Sequence, residues 1–158
     1  MTKKSADQWF EEYGVSHQNP INKLIHWVCV PLIFLVILGL LWAIPTPAAF
    51  SQIHPYLNWA TLAAIFIVGF YIRLSPRLAI GLTLFTLACY SIIAWYESLQ
   101  LASLALTSIL LFIILWILQF VGHKIEGKKP SFFQDMQFLM IGPAWLMAFI
   151  YRRLGLSY

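Results

Sequence analysis

Four long runs of apolar residues constrain what this chain can fold into more than any other feature. The runs cover residues 24–44, 56–72, 78–96 and 101–121. About 20 apolar residues in a helix cross the hydrocarbon core of a bilayer, which is roughly 30 Å thick. We therefore expect an all-α, polytopic membrane helical bundle with four transmembrane helices, forming a single integral membrane domain over residues 1–158.

The composition excludes a water-soluble domain. Of the 158 residues, 61% are apolar and 10% are charged, whereas about a quarter of the residues in soluble domains are charged. The net charge of +4 is carried by the segments between the apolar runs. Membrane lipids with anionic headgroups, or anionic substrates, are therefore the expected partners, and nucleic acid is not.

The positions of Lys and Arg predict the orientation in the membrane. Short cytoplasmic loops are enriched in these residues, and four crossings would place all 10 of them on one side. The outer loops, residues 45–55 and 98–100, contain no Lys or Arg. We expect a multi-pass protein with both termini in the cytoplasm. A bacterial inner membrane is favoured, and the endoplasmic reticulum satisfies the same charge rule for a eukaryotic protein.

A polar segment with a few aromatic residues precedes the first apolar run. Ser5 and Gln8 have the spacing of a capping box, which predicts the start of a helix. Trp9, Phe10 and Tyr13 follow at helical spacing. We expect an interfacial N-terminal helix with these aromatic residues as its membrane-facing edge.

A fifth apolar run, residues 138–151, lies near the C-terminus and is interrupted by Gly142 and Pro143. It is short for a crossing, and proline interrupts helices. A crossing here would also move Arg152 and Arg153 to the outer side. The sequence therefore predicts a re-entrant or interfacial C-terminal segment.

Three of the four histidines are predicted to meet at the cytoplasmic face. His17 and His26 lie around the start of the first apolar run, and His123 follows the fourth run. His54 falls in an outer loop. An imidazole at a membrane boundary is costly unless it is paired, hydrated or bound to a metal. Three neutral imidazoles suit Zn, Fe, Ni or Cu better than Mg or Ca. The alternative is that each histidine is a structural, hydrogen-bonded residue.

Amide side chains accompany two of these histidines. Asn22 precedes His26 by four residues, and Gln119 precedes His123 by four residues. This spacing puts each amide on the same helix face as its histidine, where it can orient the imidazole ring. The alternative is that both amides form hydrogen bonds between helices.

A carboxylate also follows His123. Glu126 lies three residues after His123 and could orient the imidazole ring if the helix continues that far. The alternative is that Glu126 is a solvated partner of Lys128 or Lys129.

Common catalytic motifs are absent from the sequence. It has no G-x-S-x-G elbow, no H-E-x-x-H pair and no phosphate-binding glycine loop, and it has too few histidines for a membrane di-iron centre. One non-enzymatic alternative is a small membrane scaffold or lipid-binding protein. Another is a transporter, which is disfavoured because the centres of the apolar runs hold almost no polar residues.

Two stretches resemble the signatures of a known family. They are residues 13–32, YGVSHQNPINKLIHWVCVPL, and residues 118–130, LQFVGHKIEGKKP. The first contains a His, then Asn-Pro-x-Asn, then a second His before Val-Pro. The second contains Gln-Phe-x-Gly-His, a downstream Glu and a basic segment that ends in Pro. In both motifs, and in the layout of the whole chain, the protein resembles the Mpo-like family.

This resemblance implies a non-haem, Fe(II)-dependent dioxygenase. Such an enzyme carries out α-oxidation of a 2-hydroxy fatty acid with O2, giving a fatty acid one carbon shorter, in the breakdown of phytosphingosine and so in sphingolipid degradation. The essential histidines of the family correspond to His17, His26 and His123, which would be both the iron ligands and the catalytic residues. No organic cofactor is then required.

The same resemblance suggests how a fatty acid would lie. Its carboxylate would face a basic rim formed by Lys23, Lys124 and Lys128. Its acyl tail would lie between the spans, lined by residues such as Phe34, Leu35, Phe112 and Trp116. Bundle packing or lipid contact explains these apolar residues equally well.

Overall fold

A computed structural model of the protein describes residues 4–54, 56–127 and 138–158, and every regular element in this part of the chain is a helix. This confirms the all-α class. The helices, in chain order, are α1 (Ala6–Gly14), α2 (Pro20–Ala43), α3 (Ala48–Ile53), α4 (Trp59–Leu74), α5 (Pro76–Ser98), α6 (Leu104–Ile125) and α7 (Ile141–Arg153).

Three of these helices, α2, α5 and α6, are long and apolar enough to span a membrane. The prediction of four such helices is wrong for the described residues, because α4 has only 16 residues, a length of about 24 Å at 1.5 Å per residue. Polar caps limit α4 at both ends. Asn58 accepts a hydrogen bond from the backbone N–H of Thr61 at its start, and Ser75 lies at its end and caps α5 in turn.

Helices α2 and α6 pack in an antiparallel arrangement. His26 in α2 contacts His123 near the end of α6, and Gly39 in α2 lies beside Ser108 near the start of α6. A Cβ atom on Gly39 would lie 2.7 Å from the Ser108 hydroxyl, so glycine permits the close approach of the two helices. We call the end of the bundle where α2 begins and α6 ends the histidine end.

Helix α4 brings the chain back to the histidine end. At its start, the Thr61 hydroxyl hydrogen-bonds the hydroxyl of Tyr90, which lies late in α5. Towards its end, Tyr71 is buried in a cluster with Leu78, which lies early in α5. The two helices are therefore antiparallel, and the turn between them lies at the histidine end.

The N-terminal helix α1 forms part of the protein core. The predicted capping box is confirmed, because the Ser5 hydroxyl accepts a hydrogen bond from Gln8 N–H and the Gln8 side chain accepts one from Ser5 N–H. The predicted membrane-facing edge is wrong for Phe10 and Tyr13, which are only 5% exposed. These rings pack in one cluster with Ala144 of α7, because α7 offers an apolar protein surface to this face of α1.

Helix α7 covers the histidine end and contacts α1, α2 and α5. It has 13 residues, about 20 Å, which is too short to cross a bilayer. Gly142 and Pro143, which were expected to interrupt this run, lie instead in its first turn. Proline is tolerated there because the first N–H groups of a helix have no intrahelical partner.

Candidate metal centre

The structure brings His17, His26 and His123 together at the histidine end. They are 3%, 2% and 5% exposed, respectively. One ring nitrogen from each histidine lies within 4.8 Å of those of the other two. The ring centroids are 4.3 Å apart for His17 and His26, 5.0 Å for His26 and His123, and 5.5 Å for His17 and His123. His54 is exposed in the segment between α3 and α4, away from this cluster.

Backbone carbonyl groups orient two of the imidazole rings. Nδ1 of His17 lies 2.6 Å from the carbonyl oxygen of Tyr13, and Nδ1 of His26 lies 2.9 Å from that of Asn22. A carbonyl group can only accept, so each Nδ1 donates its hydrogen and each Nε2 keeps its lone pair. Histidines that bind metals are commonly held in this way.

Helices α1 and α7 position the His17 ring, which lies in the turn between α1 and α2. The Tyr13 ring stacks on it, with 4.1 Å between centroids and 14° between planes. Trp145 of α7 lies 6.0 Å from it. Unlike His26 and His123, which lie on long helices, His17 therefore depends on the packing of two short helices.

Glu126 lies at the junction between the end of α6 and the start of α2. Its carboxylate accepts hydrogen bonds from the backbone N–H groups of Gln18 and Asn19, at 2.7 and 2.8 Å, and from the side-chain amide of Asn22, at 3.0 Å. Burial acts to raise the pKa of this carboxyl, but the hydrogen bonds from Asn19, Gln18 and Asn22 outweigh it and hold the pKa below its usual range. The carboxylate thus contacts the His17 turn and the start of α2.

Asn22 is fully buried at the same junction. Its side-chain amide also donates a hydrogen bond to the Ser16 carbonyl, at 3.0 Å. A Cβ atom on Gly122 of α6 would lie 2.5 Å from Oδ1 of Asn22. The glycine one residue before His123 therefore provides the space that the Asn22 side chain occupies.

The other predicted site residues occupy different places. Gln119 is 7% exposed and lines the cavity beside His17 and His26. Lys23 is half-buried and Lys124 is exposed, and neither lines that cavity. Lys128 lies outside the described residues.

A cavity of about 30 Å³ adjoins the histidines. It extends along one face of α2 from His26 past Val30 to Ile33, with apolar walls at its deeper end. Its volume accommodates about two water molecules or a comparably small group, and not an acyl chain. Its lining residues are Tyr13, His17, His26, Val30, Ile33, Trp116, Gln119, Phe138, Leu139 and Gly142.

The four residues suggested as a lining for the acyl tail are not all at this cavity. Trp116 lines it, and Phe112 contacts Trp116 with 5.8 Å between ring centroids. Leu35 lines a second cavity, of about 190 Å³, between α2, α5 and α6. Phe34 packs against Phe85 of α5 and contacts neither cavity.

Several residues shape the site in ways that the sequence did not indicate. Tyr13 and Asn22 each lie four residues before a histidine and supply a backbone carbonyl to it. Because every residue type has a backbone carbonyl, only the four-residue spacing could have indicated these contacts. The side-chain amide of Asn22, which was expected to orient the His26 ring, donates hydrogen bonds to Ser16 and Glu126 instead. Nothing in the sequence indicated a role for Trp145, because the contact of α7 with His17 depends on the tertiary fold.

The donor atoms fit a divalent transition metal. Three buried imidazoles can supply nitrogen ligands, and the nearby Glu126 carboxylate is hydrogen-bonded to the start of α2. Nitrogen ligands suit Zn, Fe, Ni and Cu, whereas Mg and Ca prefer oxygen ligands. Burial also limits the access of water to a metal held there.

Comparison with known proteins identifies the family. A family model described as 2-hydroxy-palmitic acid dioxygenase Mpo1-like matches residues 3–154, nearly the whole chain. No curated protein and no solved structure gives a significant match. The match includes the three clustered histidines and confirms the resemblance seen in the two sequence motifs. The chain belongs to the Mpo1-like family.

Proposed function

We propose that this protein is an Fe(II)-dependent dioxygenase that converts 2-hydroxy fatty acids to fatty acids one carbon shorter. One observation carries the proposal: His17, His26 and His123 converge in a buried cluster, with one ring nitrogen of each within 4.8 Å of the others. The family description, which names a 2-hydroxy-palmitic acid dioxygenase, supports the reaction and the class of substrate.

The three histidines would hold the metal through ring nitrogens. When bound, Fe(II) supplies the redox chemistry with O2 that protein side chains lack. The carbonyl groups of Tyr13 and Asn22 hold two of the rings in one orientation. The surrounding apolar side chains keep bulk water from the reacting groups.

The reaction balances without another reductant. The bond between the carboxyl carbon and the hydroxyl-bearing carbon breaks, and the carboxyl carbon leaves as CO2. The hydroxyl-bearing carbon becomes the carboxyl of the product. These two oxidations release four electrons, which reduce one O2, so that one 2-hydroxy acid and one O2 give the shortened acid, CO2 and water.

The polar end of the cavity would receive the substrate head group. The Gln119 amide lines it beside His17 and His26 and can donate a hydrogen bond to a carboxylate or hydroxyl oxygen. Lys23 and Lys124 do not line the cavity, so we assign them to attraction of the carboxylate at the membrane surface. The tail would extend past Ile33 along the interface of α2 and α6, where apolar side chains would have to separate.

The histidine end would face the cytoplasm. The seven Lys and Arg residues among those described lie at this end of the bundle, and Lys and Arg mark cytoplasmic loops. Because α4 returns the chain to the histidine end, both termini would then be cytoplasmic, and a bacterial inner membrane is the favoured location. The seven Lys and Arg residues are Lys4, Lys23, Arg73, Arg77, Lys124, Arg152 and Arg153.

Elemental analysis of protein purified in detergent and reconstituted with Fe(II) tests the metal centre. We expect about one iron per chain in the parent, and its loss in His17→Ala, His26→Ala and His123→Ala, since each substitution removes one of three ligands. His54→Ala is the matched control and should keep its iron. Parent protein should also consume O2 with a 2-hydroxy fatty acid and release the labelled carboxyl carbon as CO2.

Two results would contradict the proposal. Parent protein that binds no iron, or equal iron loss in all four variants, would exclude the three-histidine centre and favour a scaffold or lipid-binding protein. Iron-loaded parent that consumes no O2 with 2-hydroxy fatty acids would exclude the reaction and leave the metal centre in place.

A further inference from the structure

Glu126 connects the three segments that carry the histidines. Its carboxylate accepts a hydrogen bond from Gln18, the residue after His17. It accepts another from the side chain of Asn22, one helical turn before His26. Glu126 itself follows His123 by three residues. Glu126 is therefore within one helical turn of His123, and its hydrogen-bond partners Gln18 and Asn22 are within one helical turn of His17 and His26 along the chain.

A carboxylate suits this position for two physical reasons. The N–H groups of Gln18 and Asn19 lie just before the first turn of α2, where a helix presents free N–H groups and the positive end of its dipole. Both oxygens of Glu126 are occupied, Oε1 by Gln18 and Oε2 by Asn19 and Asn22. A glutamine would direct its own NH2 group at one of these donors and lose at least one hydrogen bond.

Asn22 provides a further link between Glu126 and the turn that carries His17. The Asn22 amide donates to both Glu126 and the Ser16 carbonyl, so it links the end of α6 to the turn on both sides of His17. The absence of a side chain at Gly122 lets Asn22 approach α6. A shift of the turn relative to α6 would break these contacts together.

We propose that Glu126 is a positioning residue for the metal centre, and that it acts by holding the His17 turn against the end of α6 rather than by orienting the His123 ring. Residues that hold metal ligands in place commonly contribute 10–100-fold to metal affinity. The inference rests on the proposed metal centre, and it does not depend on which reaction the metal supports.

Titration with Co(II), followed by its visible absorption in detergent-purified protein, tests this role. We expect Glu126→Gln to weaken Co(II) binding about 10–100-fold and to change the absorption spectrum, because His17 is no longer held in place. Glu126→Asp retains the charge but is too short to reach all three donors, so its affinity should be intermediate. Thermal unfolding of each metal-free variant separates loss of positioning from loss of fold.

Glu97→Gln is the matched control. Glu97 also accepts a hydrogen bond across helices, from the indole N–H of Trp42, but it lies at the opposite end of the bundle. The Glu97→Gln variant should bind Co(II) with the same affinity as the parent protein. Parent-like affinity and spectrum in Glu126→Gln, or in Glu126→Asp if the Gln variant does not fold, would overturn the inference, as would an equal loss in Glu97→Gln. A parent that binds no Co(II) would overturn the metal centre itself.

Discussion

The close contact between Gly122 and Asn22 leads to a prediction about a single substitution. Gly122→Ala would place a Cβ atom 2.5 Å from Oδ1 of Asn22. Asn22 cannot move away without losing its hydrogen bonds to Ser16 and Glu126. We therefore expect a loss of stability of about 1–3 kcal/mol from overpacking and weaker metal binding.

Thermal unfolding and Co(II) titration measure both effects. Gly69→Ala is the control, because Gly69 lies within α4 and has no neighbour within 4 Å of the added Cβ atom. It should be neutral or more stable by up to about 1 kcal/mol, since alanine favours helix more than glycine does. A Gly122→Ala variant as stable as Gly69→Ala would mean that Asn22 tolerates displacement.

The three histidines of the candidate metal centre could be predicted from the sequence, but the main-chain groups that orient them could not. The three histidines stand out in an apolar sequence, and charge placement put them on one face. The backbone carbonyl groups of Tyr13 and Asn22 orient His17 and His26. The sequence does not indicate these contacts, because every residue has a backbone carbonyl group. The partners of Glu126 were missed because they are 104 to 108 residues away along the chain.

At the level of helices, the interface of α2 and α6 is the basis of a prediction about how the acyl tail binds. Ile33 is 2% exposed and closes the apolar end of the cavity. Ile33→Trp would fill the path proposed for the acyl tail while leaving the histidines in place. We expect activity on a long-chain 2-hydroxy acid to fall at least about 10-fold relative to a short-chain one, since hydrophobic pockets discriminate chain length by such factors.

Comparison of kcat/KM for the two acids, with iron content measured alongside, tests this expectation. Ile65→Trp is the control, because Ile65 is 62% exposed on α4 and lies outside the α2–α6 interface. An Ile33→Trp variant that retains iron and the parent preference would show that the tail leaves the cavity by another path.

A helix was predictable for α1, α2, α4, α5 and α6, but α3 lies in the segment 45–55 that was predicted to be an outer loop, and α7 is one continuous helix despite Gly142 and Pro143. The environment of a helix was harder to predict than its existence. Apolar runs and caps identified the long helices, and the run 56–72, which is the shortest of the four, corresponds to the short helix α4 of 16 residues. The aromatic face of α1 was assigned to the membrane. A bilayer surface and the apolar face of α7 satisfy that pattern equally well, and only the tertiary fold decides between them.

For the whole molecule, the uneven distribution of charge predicts its orientation. Ser51 lies in α3, away from the histidine end, and Gln8 lies in α1 at that end, and both are exposed. In bacterial cells, Ser51→Cys should react with a membrane-impermeant thiol reagent, and Gln8→Cys should react only after permeabilisation. The native Cys29 and Cys89 are 1% and 2% exposed and should give little background. The reverse labelling pattern would place the histidine end outside the cell.

The distance along the chain between the three clustered histidines has a consequence for how the proposed metal centre is assembled. His17 and His26 are synthesised early, whereas His123 and Glu126 emerge only after α4, α5 and α6. Contacts between such distant segments form late, after the intervening chain has been ordered. A nascent or truncated chain would therefore have two of the three proposed ligands and would not hold the proposed metal tightly. Metal loading would then be a final step of biogenesis, restricted to chains whose helices have already been inserted and assembled.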